Sequence, residues 1–67
     1  MKKFKVGDYV TVRGNARGTI WESGVIDDIN SEGAIIAYGS KYAPKYARLY
    51  GLAIRIPLER LEHRAED

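Results

Sequence analysis

The chain has 67 residues, of which 45% are hydrophobic and 30% are charged, and its net charge is +2. These values indicate one small globular domain over residues 1–67, and no apolar run approaches the roughly 20 residues that cross a bilayer. There is no cysteine, which excludes disulfides and thiolate metal sites, and the basic start has no apolar region after it, so we expect a cytoplasmic protein without a signal peptide.

A period of two residues dominates the first half of the chain. The stretch YVTVR (9–13) alternates, with its two valines on one face, and predicts a half-buried strand. The loop GNARG follows. The stretches GVIDDI (24–29) and AIIAY (34–38) are rich in β-branched residues and predict a second and a third strand. The letters NSEG between them predict a tight turn, in which Gly33 can adopt a positive φ.

Two adjacent aspartates, Asp27 and Asp28, interrupt the second predicted strand. Neighbouring side chains in a strand point to opposite faces, so this pair is not arranged to share a metal ion or a substrate. An inward carboxylate would be costly to bury. A β-bulge near this point would resolve the conflict, and we expect no metal site.

The stretch LAIRI (52–56) alternates clearly and predicts a fourth strand. In this register Leu52, Ile54 and Ile56 face inward, whereas Ala53 and Arg55 face outward. The strand must stop at the next residue, because Pro57 has no N–H to donate to a sheet.

The residues after this proline allow two interpretations. In the first, PLERLEHRAED forms a helix that begins at Pro57. In the second, one 3₁₀ turn at Pro57–Arg60 leads into a short fifth strand, Leu61–Arg64. We favour the second, because four strands would leave an open edge that a fifth strand helps to close.

Three stretches together resemble the SH3-like small barrel, the scaffold of KOW and Tudor modules. VGDYVTV looks like the opening turn and first strand, WESGVIDDI like the second strand, and IPLERLE like the closing 3₁₀ turn and last strand. The resemblance implies an all-β fold, a single five-stranded barrel with a long loop between strands 3 and 4. The type II dihydrofolate reductases have a similar barrel, but their Val–Gln–Ile–Tyr stretch has no counterpart in LAIRIPLE, so that activity is not implied.

The charges are segregated along the chain. Residues 1–18 hold five cations and one acid, residues 19–32 hold four acids and no cation, and residues 33–55 hold four cations and no acid. The balances are therefore +4, −4 and +4, and the remaining residues, 56–67, contribute −2. If the two basic blocks share one face of a small barrel, that face will attract anionic partners.

The stretch YGSKYAPKYARLYG, the tyrosine segment (Tyr38–Gly51), contains four of the five tyrosines at intervals of four residues, with three cations between them. Pro44 prevents one continuous helix, but it suits the first position of a short helix, Pro44–Tyr50, with Gly51 as its cap. Tyrosines that border strands, such as Tyr38 and Tyr50, commonly cover the end of a core.

Cations draw in phosphates and flat rings stack on bases, so the tyrosine segment predicts binding of DNA or RNA. Interleaved tyrosines and lysines also occur in protein interfaces, and a protein partner or self-association is the alternative. The candidate binding residues are Arg13, Arg17, Trp21, Lys41, Tyr42, Lys45, Tyr46, Arg48 and Arg55.

Two single residues, Trp21 and His63, suggest further functions. Trp21, the only tryptophan, either caps the core or forms with Tyr38 part of an aromatic cage for a cationic group, as in Tudor-like modules. His63, the only histidine, lies in an acidic tail, and no serine or cysteine is spaced to act with it. We therefore predict no catalytic residue, no cofactor and no enzymatic activity.

Overall fold

The computed structural model describes residues 3–16, 18–50 and 54–64. They form one open antiparallel sheet of four strands in the order β3-β2-β1-β4, together with two single turns of 3₁₀ helix. In this part of the chain there is no α-helix, and no helix is long and apolar enough to cross a membrane. The strands are β1 (Tyr9–Val12), β2 (Ser23–Asn30), β3 (Gly33–Tyr38) and β4 (Leu61–His63), and the 3₁₀ turns are Lys45–Ala47 and Leu58–Arg60.

The first three predicted strands are confirmed as β1, β2 and β3, and the turn NSEG joins β2 to β3 as predicted. Gly33 has φ +140°, which a side chain would rarely allow. A Cβ at this position would also overlap the carbonyl oxygen of Ile56. Glycine is therefore required here both by the backbone conformation and by the close approach of a second segment.

A β-bulge does interrupt β2 at the two aspartates. The pairing of β2 with β3 shifts between Ile26, which faces Ile36, and Asp28, which faces Ile35. Asp27 is the extra residue, and it is half-buried, whereas Asp28 is exposed. The shift lets Ile26 enter the core without carrying a carboxylate into it.

After Pro57 the chain follows the second of the two interpretations. A 3₁₀ turn at Leu58–Arg60 leads directly into β4, which pairs with β1 through Val10↔His63 and Val12↔Leu61. The alternative, a helix beginning at Pro57, is wrong for residues 58–64. Leu61 is 1% exposed, so burial of this side chain stabilises the extended conformation.

The fourth predicted strand is not found at the residues of it that the structure describes. Ile54 and Arg55 have no regular structure, and Ile54, predicted to face inward, is 60% exposed. Ile56 is buried as predicted, but it forms only an isolated bridge with Ala34. Residues 51–53 lie outside the described residues. A closed barrel of five strands is therefore not observed, because one bridge does not make a strand.

The main core cluster is entirely aliphatic. β1 supplies alternate residues to it, which agrees with the period of two in YVTVR, and β3 supplies Ala34 and Ile36. Phe4, Ile29, Tyr38 and Leu58 pack around its edge. The members of the core cluster are Val10, Val12, Ile26, Ala34, Ile36, Ile56 and Leu61.

Candidate binding site

The tyrosine segment forms a loop that is closed at its base by the sheet. The N–H of Tyr38 donates to the carbonyl of Leu49 at 2.7 Å, and the N–H of Leu49 donates back to Tyr38 at 3.1 Å. Between these residues the only helix is the 3₁₀ turn Lys45–Ala47, which Pro44 precedes. The predicted helix Pro44–Tyr50 is thus shortened to a single turn, because the chain must return to pair with Tyr38.

The tip of the loop displays aromatic rings and ammonium groups. The side chains of Tyr42 and Tyr46 are 72% and 91% exposed. Lys41 and Lys45 are exposed as well. Arg48 is half-buried, and its Nη2 donates to the carbonyl of Lys41 at 3.3 Å, so it braces the loop from within. We call the exposed residues Lys41, Tyr42, Lys45 and Tyr46 the loop tip.

The acidic block of the sequence neutralises part of the second basic block. Lys45 Nζ lies 3.3 Å from the Asp27 carboxylate in the bulge. Arg55 Nη2 donates to Asp28 at 2.7 Å, while its Nη1 donates to the carbonyl of Gly33 at 3.2 Å. Arg55 therefore braces the start of β3 instead of extending the charge of the loop tip.

One cation of the first basic block, Arg13, is held against the second 3₁₀ turn. Arg13 Nη2 donates to the carbonyl of Glu59, and Arg60 donates two hydrogen bonds, of 3.0 Å from Nε and 2.8 Å from Nη2, to the carbonyl of Arg13. Arg13 thus helps to join the end of β1 to the turn that precedes β4. Arg17, the other predicted site residue of this loop, lies outside the described residues.

An open aromatic pocket of about 550 Å³ lies at the base of the tyrosine segment. Trp21 and Tyr38 meet edge to face, with ring centroids 5.3 Å apart and planes at 78°. Trp21 is 40% exposed, so part of its ring faces solvent. The pocket is lined by Asn15, Trp21, Tyr38, Tyr50, Ile54, Ile56 and Arg60.

The electrostatics of this aromatic pocket oppose a cationic guest. Of the lining residues that the structure describes, only Arg60 carries a full charge, and it is positive. Burial raises the pKa of the Tyr38 phenol, although the charge of Arg60 acts in the opposite direction. The phenol is therefore neutral at physiological pH and cannot offset the arginine. Trp21 and Tyr38 do come together, as the cage hypothesis required, but the charge beside them is of the wrong sign for that ligand.

The loop between β1 and β2 reaches this pocket because a buried carboxylate orders it. Glu22 is 8% exposed, and its Oε2 accepts the N–H of Gly18 at 2.6 Å. Arg64 Nη1 lies 3.8 Å from the other oxygen. The Asn15 side chain donates to the carbonyl of Trp21, which fixes the loop beside the tryptophan.

Sequence reasoning did not identify Asn15, Ile54 or Arg60 as site residues. Asn15 lies in the first loop and Arg60 ends a 3₁₀ turn, so only the folded sheet brings them to one pocket. Ile54 was assigned to the core because its spacing from Ile56 fits a strand. No local pattern in the sequence marks these positions.

A second cluster lies at the other end of the sheet. His63 Nε2 is 3.0 Å from Asp8 Oδ2, and the Phe4 ring lies 4.5 Å from the imidazole. Burial raises the pKa of Asp8, but hydrogen bonds from His63 and the Lys5 N–H and the charges of both side chains hold that pKa below its usual value. Residues 3–16, 18–50 and 54–64 contain no group of three or more potential metal ligands.

No protein-family model, curated protein or solved structure matches this chain. The resemblance to the SH3-like small barrels therefore stays a prediction. Any functional conclusion must be argued from the loop tip, the aromatic pocket and their chemistry.

Proposed function

We propose that this protein is a non-enzymatic module that binds single-stranded nucleic acid through the loop tip. One observation carries the proposal, namely that Tyr42 and Tyr46 are 72% and 91% exposed on a loop that also exposes Lys41 and Lys45. Most of the surface of both tyrosines is in contact with water. Its free energy of burial is available to a ligand.

The tyrosines and the lysines of the loop tip contribute to binding in different ways. A base stacked on a tyrosine contributes roughly 1–3 kcal/mol, largely without regard to sequence. The ammonium groups of Lys41 and Lys45 attract phosphates, and this attraction weakens as salt is added. Such a surface reads little base identity, so we expect affinity of about micromolar Kd or weaker and modest sequence preference.

The pair formed by Lys45 and Asp27 is compatible with this role. The Lys45 side chain is 72% exposed, and ion pairs at such exposure contribute only about 0.2–1 kcal/mol. A phosphate can therefore compete with Asp27 for the ammonium group. The aspartate also lowers the net attraction, which fits weak and salt-sensitive binding.

Titration with fluorescently labelled oligonucleotides tests the proposal. We expect anisotropy to rise with single strands at low salt, to rise less with duplexes, and to fall steeply as salt increases. Tyr46→Ala should weaken single-strand binding by roughly 1–3 kcal/mol, whereas Tyr46→Phe, which keeps the ring, should bind like the parent protein. Absence of binding to any oligonucleotide at low salt contradicts the proposal.

A second candidate function is a protein interaction, and it is favoured by the apolar side chains beside the loop. Leu49 and Ile54 are 45% and 60% exposed, and neither is suited to contact a phosphate. Aromatic and aliphatic clusters of this kind form the centres of protein interfaces. This alternative predicts a complex that survives high salt. Light scattering over a range of concentrations measures the self-association that it includes.

We further propose that the open sheet belongs to an SH3-like barrel. Two isolated bridges support this, because Leu49 pairs with Tyr38 at one end of β3 and Ile56 pairs with Ala34 at the other. The chain between them therefore begins and ends beside the same edge strand. Hydrogen exchange of the Ile36 amide, which lies between the two bridges, tests the proposal. Slow exchange supports a further strand at this edge, and fast exchange contradicts it.

A further inference from the structure

The aromatic pocket has the shape and size of a ligand site. Its volume of about 550 Å³ is within the range of roughly 300–1,000 Å³ that small-molecule sites occupy. The edge-to-face arrangement of Trp21 and Tyr38 leaves the two ring planes 78° apart, so the pair forms a corner and not a stack. A flat guest can lie on one ring and touch the other with its edge.

The charge beside this corner selects the class of guest. Arg60 is oriented by its two hydrogen bonds to the Arg13 carbonyl, so its guanidinium is fixed at the pocket without a carboxylate partner in those contacts. A fixed positive group beside aromatic rings disfavours ammonium or guanidinium guests and favours an anion. The guest that fits is therefore flat, largely apolar and attached to a negative charge.

The pocket is also continuous in sequence with the proposed nucleic-acid surface. Tyr38 and Tyr50 line it, and the segment between them carries the loop tip. A single strand that stacks on Tyr42 or Tyr46 is therefore bound to a loop whose two end residues, Tyr38 and Tyr50, line the pocket. A nucleotide combines a flat base with a phosphate and matches both requirements.

We propose that the aromatic pocket receives one unpaired nucleobase, stacked against Trp21, with a neighbouring phosphate facing Arg60. The proposal rests on the proposed function and adds to it a second contact, away from the loop tip. It also assigns a preference for single strands, because a base that is paired in a duplex cannot enter a pocket.

The only tryptophan of the chain reports directly on this site. We expect the emission of Trp21 to be quenched as an unlabelled oligothymidylate saturates the protein, in parallel with the anisotropy of the labelled strand. Trp21→Leu should weaken single-strand binding roughly five-fold or more and leave duplex binding unchanged. Ile20→Ala, at the preceding residue and 56% exposed, is the matched control and should bind like the parent.

The two proposals fail in different ways. If anisotropy shows binding but the emission of Trp21 does not change at saturation, the base pocket is wrong and the loop tip stands. If Trp21→Leu weakens single-strand and duplex binding equally, the base pocket is also wrong. If no oligonucleotide binds, the proposed function is wrong. The pocket is then tested separately, by following the NMR resonance of the Trp21 indole N–H as adenosine monophosphate is added to millimolar concentration. A saturable shift supports a base site, and no shift overturns it.

Discussion

The four tyrosines of the tyrosine segment have the same spacing but two different environments. Tyr38 and Tyr50, at its ends, are half-buried and line the aromatic pocket, whereas Tyr42 and Tyr46, in its middle, are largely exposed. The difference accompanies the hydrogen bonds between Tyr38 and Leu49, which fix the ends of the loop to β3. The spacing alone therefore does not decide which of these side chains are buried.

The largest effect is expected at Gly33, at the other end of β3 from Tyr38, where Ile56 lies against the backbone. Gly33→Ala combines a strained φ of +140° with overlap against Ile56, so we expect a loss of at least about 3 kcal/mol in the free energy of unfolding. Urea denaturation measures it. Gly39→Ala is the control, because its φ of +135° is similar but its side-chain space is open. Equal losses would show that contact with Ile56 is unimportant.

Replacing a tyrosine by alanine at an end of the loop and in its middle compares the two environments directly. Tyr38→Ala removes a ring that packs on the core and on Trp21, and it should cost about 2–3 kcal/mol of stability, less than for a fully buried ring. Tyr46→Ala should change stability by no more than about 0.5 kcal/mol. Thermal unfolding of both variants provides the measurement. A large loss at Tyr46 would show that the middle of the loop is packed.

The other side of the aromatic pocket depends on the buried Glu22. Glu22→Gln keeps the shape but replaces a charged acceptor of the Gly18 N–H with a neutral one, and we expect a loss of about 1–2 kcal/mol. Glu32→Gln, in the exposed turn between β2 and β3, should be neutral. If both variants unfold at the same urea concentration as the parent, the carboxylate does not order the first loop.

The smallest expected effect lies away from the pocket, at Asp8. Because the folded state lowers the pKa of Asp8, the carboxylate adds stability above its usual pKa of 3.8, and this contribution is lost as the pH falls through the lower, folded value. We expect about 0.2–1 kcal/mol, as for exposed ion pairs. Denaturation from pH 6 to pH 2 should show a shallower acid loss for Asp8→Asn. Parallel curves for the two proteins would contradict this assignment.

Much of the fold could be predicted from the sequence because its signals are local. The alternation in YVTVR and the β-branched runs identified β1 to β3, and NSEG identified the turn between β2 and β3. In these cases neighbouring residues carry the physical reason. The preference for a 3₁₀ turn and β4 over a helix after Pro57 rests instead on a non-local reason, the open edge that four strands would leave. Period two failed at Ile54, since alternation shows which residues share a face but not whether a partner strand runs beside them.

The candidate site could be predicted only in part, for the same reason. Tyr42 and Tyr46 were candidate binding residues in the sequence, and the structure exposes both of them. The pairing of Lys45 with Asp27 and of Arg55 with Asp28 could not be foreseen, because the partners are 18 and 27 positions apart and meet only across the folded sheet. The segregated charges of the sequence are therefore partly matched in space, and they do not add to one large basic face.

The sheet order has a consequence for local opening of the native fold. β4 is an edge strand of only three residues, and it pairs with β1. When β4 detaches, β1 is left with an unpaired edge, although its pairing with β2 persists. Such an edge can add a strand from a second molecule, so opening at β4 is the step at which two copies of the sheet can exchange strands.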